Sequence, residues 1–171
     1  MATLVLTVLG DDRPGLVSAL SAPLKACGAG WERSRMARLA GKFAGVVEVV
    51  VADDRVDALV PALEALEDEG LQVTVERTDE PTQQSVKRLA LDLVGADRPG
   101  IVADISTLLA DRQVSVEELS TQVSEAPMAG TALFEAHAVL AAPADADTGA
   151  LREALEALAD ELMVDLSLAP D

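Results

Sequence analysis

The chain has 171 residues, half of them apolar and only 2% aromatic, and thirty acidic against thirteen basic side chains leave a formal charge of -17. That field excludes direct binding to nucleic acid or to anionic membrane surfaces, which both require clustered Lys and Arg. The lack of aromatic rings excludes a base-stacking platform, and the aliphatic content excludes a disordered chain.

The elements follow in order from the N-terminus. Met1 to Asp12 has no basic segment before its apolar run, so it does not read as a secretion signal. Thr3 to Leu9 alternates as a strand does. Asp12 reads as a helix N-cap with Pro14 in the first turn, where its missing N–H costs nothing. Leu16, Val17, Leu20 and Leu24 then form one helical face, which ends at Gly28 and Gly30. Trp31 to Arg38 and Phe43 to Ala52 read as strands joined at Ala40-Gly41. A second helix follows, with Val56, Leu59, Val60, Leu63 and Leu66 inward and Glu64, Glu67 and Asp68 outward. Gly70 stops it, and Leu71, Val73 and Val75 alternate in a last strand. Pro23 and Pro61 fall inside the helical runs, which implies either bent helices or shifted boundaries.

The same order then repeats. Gly10-Asp-Asp-Arg-Pro-Gly15 returns 85 residues later as Gly95-Ala-Asp-Arg-Pro-Gly100. Leu4, Leu6 and Val8 align with Leu89, Leu91 and Leu93; Leu16, Val17, Leu20 and Leu24 align with Ile101, Val102, Ile105 and Leu109. Flanks that match at both period two and period three-to-four mark a duplication. In the second copy Leu151, Leu155, Leu158 and Leu162 form the second helical face, and the turn between strands two and three lengthens through Glu125 to Gly130. The polar stretch Thr78 to Ser85, with Pro81, interrupts both periods and reads as a linker. The expected organisation is a first domain over 1–80, a linker over 81–86 and a second domain over 87–171. Residues 1–80 hold eight basic and fourteen acidic side chains, residues 81–171 five and sixteen, so the second copy is the more acidic. Two β-α-β-β-α-β units predict an α+β protein, each unit ferredoxin-like with two helices on one face of an antiparallel sheet.

The repeated loop has a chemical use. Unbonded N–H groups at a helix start, with the positive end of the helix dipole, favour a carboxylate. Gly15 and Gly100 lack a Cβ and let a ligand or a neighbouring backbone approach. Asp11, Asp12 and Asp97 can accept hydrogen bonds from an ammonium group, so the combination suits a zwitterionic amino acid. The same residues also serve a purely architectural purpose, with Asp as cap, Pro as helix starter and Gly as packing allowance. Both readings stand on the residues alone.

The strand–loop–helix placement of Gly-Asp-Asp-Arg-Pro-Gly-Leu-Val and Gly-Ala-Asp-Arg-Pro-Gly-Ile-Val resembles the ACT domain, a regulatory amino-acid-binding module. With Ala126-Pro-Met-Ala-Gly-Thr-Ala-Leu-Phe134, the tandem arrangement resembles the glycine cleavage system transcriptional repressor family, over about Thr3 to Leu168. The resemblance implies side-by-side pairing of such domains and a small ligand at the seam, where the loop of one faces the start of strand two in its partner. It implies as ligand-binding positions Asp11, Asp12, Arg13, Pro14, Gly15 and Leu16 in the first loop, and Asp97, Arg98, Pro99, Gly100 and Ile101 in the second. Gly30, Trp31, Ser115 and Val116 are implied across the seam. The family often places Asn where strand two begins; this chain has Gly30 and Ser115 there, so ligand identity does not transfer.

His137 is the only histidine and has no second histidine to share a metal, so a strand histidine is the favoured reading. Cys27 reads as a packed thiol, and a single cysteine fits a reducing cytoplasm. Arg33, Arg35, Arg38 and Lys42 read as a solvated strand face, or as a surface that docks the acidic second half or a carboxylate ligand. No metal cluster, cofactor motif or Ser-His-Asp set is legible. The expected function is a non-enzymatic cytoplasmic regulator, a homodimer by the resemblance. It senses an amino acid, glycine among the candidates, and acts through a protein partner without contacting nucleic acid or membrane. The alternatives are a ligand-free interaction scaffold, or a small enzyme or enzyme subunit on the same scaffold. Small phosphatases of this fold need a positioned Arg and Asn; Arg13 or Arg98 can supply the first, and the chain contains no asparagine.

Overall fold

The structure, a computed structural model, describes residues 1–79, 85–126 and 130–171. Its contacts divide the chain into two compact units, Met1–Thr82 and Gln83–Asp171. The first unit runs β1 (Ala2–Asp11), α1 (Leu16–Ala26), β2 (Gly30–Leu39), β3 (Lys42–Val51), α2 (Val56–Glu64) and β4 (Leu71–Thr78). Short 3-10 turns, Asp53–Arg55 and Ala65–Glu69, flank α2. The second unit runs β5 (Val86–Ala96), α3 (Ile101–Asp111), β6 (Ser115–Glu125), β7 (Ala132–Pro143), α4 (Thr148–Leu162) and β8 (Val164–Pro170). Of the expected linker, 81–84 lie outside the described residues, and Val86 already belongs to β5.

Each unit is a four-stranded antiparallel sheet, in the orders β2-β3-β1-β4 and β6-β7-β5-β8. This is the α+β, ferredoxin-like arrangement that the element order predicts. Alternation along β1 sends Leu4, Leu6 and Val8 to the helix-covered face, where each is almost fully buried, and sends Thr7 and Leu9 to the open face. Leu20, Leu59 and Leu63 of the helices meet Val47 and Val49 of β3 in one continuous core. The second unit divides its core into two clusters, one around Leu140 and Leu155 and one around Leu93, Phe134 and Ala159.

Two local expectations change, and the prolines stay where the pattern puts them. Asp12 does not cap α1: the helix starts on Gly15, whose φ is 91° and which offers no side-chain acceptor, and Pro14 lies in the turn before it. Val17 is 48% exposed and its counterpart Val102 is 45% exposed, so the buried stripe of each first helix is narrower than its apolar pattern. Pro23 and Pro61 do lie within α1 and α2. Each removes one N–H from a helix held down by Leu20 and Leu24, or by Leu59 and Leu63, so tertiary burial outweighs the missing bond.

The copies end their first helices alike. Gly28 (φ 66°) follows α1, and Ala29 N–H bonds back to Leu24 O at 2.9 Å. After α3 the same left-handed position is Gln113 (φ 57°), with Val114 N–H bonding Leu109 O at 3.0 Å. Both are the helix-stop motif in which a left-handed residue satisfies the last carbonyls.

Candidate functional site

Each repeated loop is tied down at both ends. Asp12 N–H bonds Gly41 O at 2.9 Å, fastening the end of β1 to the β2–β3 turn; Asp97 N–H bonds Ala132 O at 2.8 Å in the second unit. The first intrahelical bonds run from Ala19 N–H to Gly15 O and from Asp104 N–H to Gly100 O. The preceding helical amides, of Leu16 to Ser18 and of Ile101 to Ala103, therefore have no partner within their helices and carry the positive helix end.

The glycines of the motif divide the labour. A Cβ on Gly10 would lie 2.7 Å from Gly70 O, and one on Gly95 would lie 2.5 Å from Val164 Cγ1 and 2.9 Å from its Cα. These two let β1 and β5 touch the start of the last strand in each unit. Gly15 and Gly100 (φ 91° and 94°) are required by backbone conformation, and beside Gly15 there is open space. That space is where an added group can approach the helix start.

The motif arginines have a shared role that linear sequence does not reveal. Arg13 donates to Glu69 O at 2.7 Å, the last carbonyl of the turn that follows α2. Arg98 donates to Leu162 O at 3.2 Å, the last residue of α4. In both copies the guanidinium caps the C-terminal end of the second helical segment, where carbonyls lack partners and the dipole is negative.

The acidic groups differ between copies. Asp11 pairs with Lys42, and that ammonium holds its carboxyl below the usual carboxylate range. Asp12 accepts from Arg38 Nη1 at 3.3 Å. The second loop has Ala96 in place of Asp11, and Asp97 is exposed. Of the basic group on β2 and β3, Arg33 binds Glu48 at 2.6 Å, Arg38 binds Asp12 and Lys42 binds Asp11, all within the first unit.

Register decides what one unit can assemble. Gly30 pairs with Val50, which pairs with Thr3, whereas Asp11 pairs with Lys42 at the other end of the same sheet. Eight residues of strand separate them, about 27 Å at the usual rise. The second unit repeats this: Ser115 and Arg88 both pair with Ala141, while Ala96 pairs with Leu133. Asp11 to Leu16 and Asp97 to Ile101 therefore sit at one sheet end, and Gly30, Trp31, Ser115 and Val116 at the other. Neither unit joins its loop to its own strand-two start.

Trp31, Met36 and Phe43 pack against the first core beside α1. In the second unit Val116 and Thr121 take the places of Trp31 and Met36, and an apolar cleft of about 50 Å³ remains between α3 and β6. All of β6 is exposed, including Leu119 and Val123. Of the segment Ala126 to Phe134, residues 127–129 lie outside the described residues.

His137 Nδ1 lies 2.7 Å from Asp92 Oδ1 on the open face of the second sheet, and Ser120 is its in-register neighbour on β6. Ser120, His137 and Asp92 thus share one row, which strand register creates from positions far apart in sequence. They line an open concavity of about 540 Å³ with Gln122, Glu135 and Asp165. No group of three His, Cys, Asp or Glu among the described residues is placed to hold a metal ion. No helix among them is long and apolar enough to cross a membrane.

Residues 2–76 match the ACT domain family, and residues 90–160 match it again. The glycine cleavage system transcriptional repressor of Escherichia coli K12 is 26% identical over 162 residues, which span 93% of this chain and 85% of that protein. A UPF0237 protein of Methanopyrus kandleri is 38% identical over 79 residues, 46% of this chain and 82% of that one. Among solved structures, a protein of unknown function from Galdieria sulphuraria is 32% identical with a TM-score of 0.88, covering 99% of this chain and 98% of that one. A candidate glycine cleavage system transcriptional repressor has the same fold, at 21% identity and a TM-score of 0.74, over 98% of this chain and 96% of that one.

Proposed function

Because the chain belongs to the ACT domain family and carries two such domains in tandem, we propose that it is a regulatory protein. It binds a small amino acid and transmits that state to a protein partner. The observation that carries this reading is the first loop: a left-handed Gly15 with open space beside it at the unbonded amides of a helix start, which suit a carboxylate; the second loop repeats the left-handed glycine and the helix start at Gly100, with Asp104 Oδ2 beside it. Resemblance to a glycine cleavage repressor supports a role in amino-acid metabolism, with glycine as the first candidate.

In this reading the domains are 1–80 and 87–171, and the protein is a cytoplasmic homodimer without catalytic activity. The ligand contacts the loops Asp11 to Leu16 and Asp97 to Ile101, with Gly30, Trp31, Ser115 and Val116 supplied by a facing domain. Ligand binding favours one arrangement of paired domains and so changes the surface offered to the partner. With a net charge of -17, control of transcription runs through that partner, not through direct DNA contact.

A specific observation favours a second reading, a ligand-free scaffold. Asp11, Asp12, Arg13 and Arg98 already have partners inside their own units. Calorimetry and thermal shift against the twenty amino acids separate the two. The amino-acid reading expects one or a few to stabilise the wild type, and Gly15→Asn or Gly100→Asn, which tolerate the left-handed backbone but fill the open space, to weaken that effect. No stabilisation by any amino acid refutes the sensor and favours the scaffold.

A further inference from the structure

The duplication makes each unit a comparison for the other. In the first unit Trp31 and Met36 of β2 pack against the core beside α1. The second unit carries smaller side chains at the matching places. Val116 stands for Trp31 and Thr121 for Met36. Ala138, which pairs with Leu91 as Val47 pairs with Leu6, stands for Val47. These reductions leave the cleft of about 50 Å³ between α3 and β6. An unfilled apolar space forfeits packing contacts, so the fold by itself gains nothing from it.

The walls decide what fits. Ile101, Val102 and Ile105 of α3 line one side, and Leu119 of β6 and Ala138 of β7 line the other. Among the described residues that line the cleft only Ser106 is polar, and its hydroxyl donates to Ala103 O at 3.1 Å. A polar side chain placed there would lose its water without gaining a partner. Leu119, where the first unit has Ser34, is exposed and adds an apolar rim. Ile101 and Val102 also belong to the turn whose amides lack partners within α3. One helical turn therefore presents donors for a carboxylate and an apolar wall. Resting on the amino-acid reading above, we propose that the α3–β6 cleft is the side-chain subsite of the second unit, and that its ligand is a branched-chain amino acid in place of glycine.

Size sets the ligand class. One water needs about 10–15 Å³, so the cleft is about three to five times that and well short of the roughly 150 Å³ that accommodates benzene. A branched aliphatic side chain has the matching scale, and an aromatic ring exceeds it. Glycine has no side chain to place there. One missing methylene in an apolar pocket already changes discrimination by about 10–200-fold, so leucine binds at least about tenfold more tightly than glycine. Glutamine, of similar length, is rejected because its amide finds no partner. The first unit, with Trp31 and Val47 in place, is the internal control.

Calorimetry of the full chain with L-leucine, L-valine, glycine and L-glutamine tests this. Methyl NMR spectra are recorded with the same ligands and with xenon, which enters dry apolar cavities. Leucine and valine are expected to bind at least about tenfold more tightly than glycine or glutamine. They shift the methyl signals of Ile105 and Leu119 but not those of Leu20 and Val47. Ala138→Val and Val116→Trp each restore a side chain of the first unit, weaken leucine binding at least about tenfold and exclude xenon. Glu135→Gln, on the open face of the sheet, leaves binding unchanged. Circular dichroism checks that each variant is folded. Glycine binding as tightly as leucine, or undiminished leucine binding by a folded Ala138→Val, overturns the subsite and leaves the amino-acid reading standing. No response to any of the four amino acids while xenon still shifts Ile105 and Leu119 overturns the amino-acid reading, and the ligand class with it.

Discussion

Replacing Arg98 by Met keeps the aliphatic stem and removes only the guanidinium, which donates to Leu162 O at 3.2 Å from a partly buried position. A hydrogen bond from a charged donor contributes about 1.5–3 kcal/mol, and the rather long contact argues for the lower end, about 1.5 kcal/mol. Arg13 makes a shorter bond, 2.7 Å to Glu69 O, but at an exposed site where water competes, so Arg13→Met costs about 1 kcal/mol. In units of this size each kcal/mol corresponds to a Tm change of about 4–8 °C. Scanning calorimetry of wild type, the two single variants and the double variant reads these losses, and the double variant loses their sum because the sites lie in separate cores. Arg98→Lys recovers part of the loss as a point charge near the helix end. A variant with wild-type Tm but no response to amino acids would assign the arginines to the ligand and refute the capping argument.

Two further outcomes follow from local geometry. Gln113 holds the left-handed position that Gly28 holds in the first copy, so Gln113→Gly stabilises the second unit by about 0.5–1 kcal/mol, the left-handed strain less the added freedom of the unfolded chain; a lower urea midpoint for the variant contradicts it. The Asp11 carboxyl titrates below its ordinary 3.8 because of Lys42, so this pair stabilises the fold above that value and its contribution disappears as pH falls through the folded value. Asp11→Asn therefore lowers the urea midpoint near neutral pH and converges with wild type in acid; a constant difference across that range refutes the pairing.

Much of the fold is legible in the residues. Period-two runs around Leu4-Leu6-Val8 and Leu89-Leu91-Leu93, and helical faces through Leu20 and Leu155, are local consequences of which side chains must leave water, so they survive any change of context. The loop glycines are equally readable, because a left-handed turn between strand and helix restricts residue type through sterics within a few bonds. The helix start differs from the Asp12 pattern because that side chain has a competing partner, Arg38, that only the β2–β3 hairpin delivers. Val17 and Val102 carry the helical period yet face solvent, since periodicity gives a stripe's direction and packing sets its width.

The composition and the 85-residue repeat determined by themselves that two similar α+β units would form. Tertiary structure alone decided what the shared motif is for. It sent Arg13 and Arg98 to helix ends 56 and 64 residues away, placed Ser120, His137 and Asp92 in one row, and set the loops and strand-two starts at opposite sheet ends. The reason is physical: burial patterns are short-range and written along the chain, whereas register and side-chain pairing depend on which distant strands share a sheet.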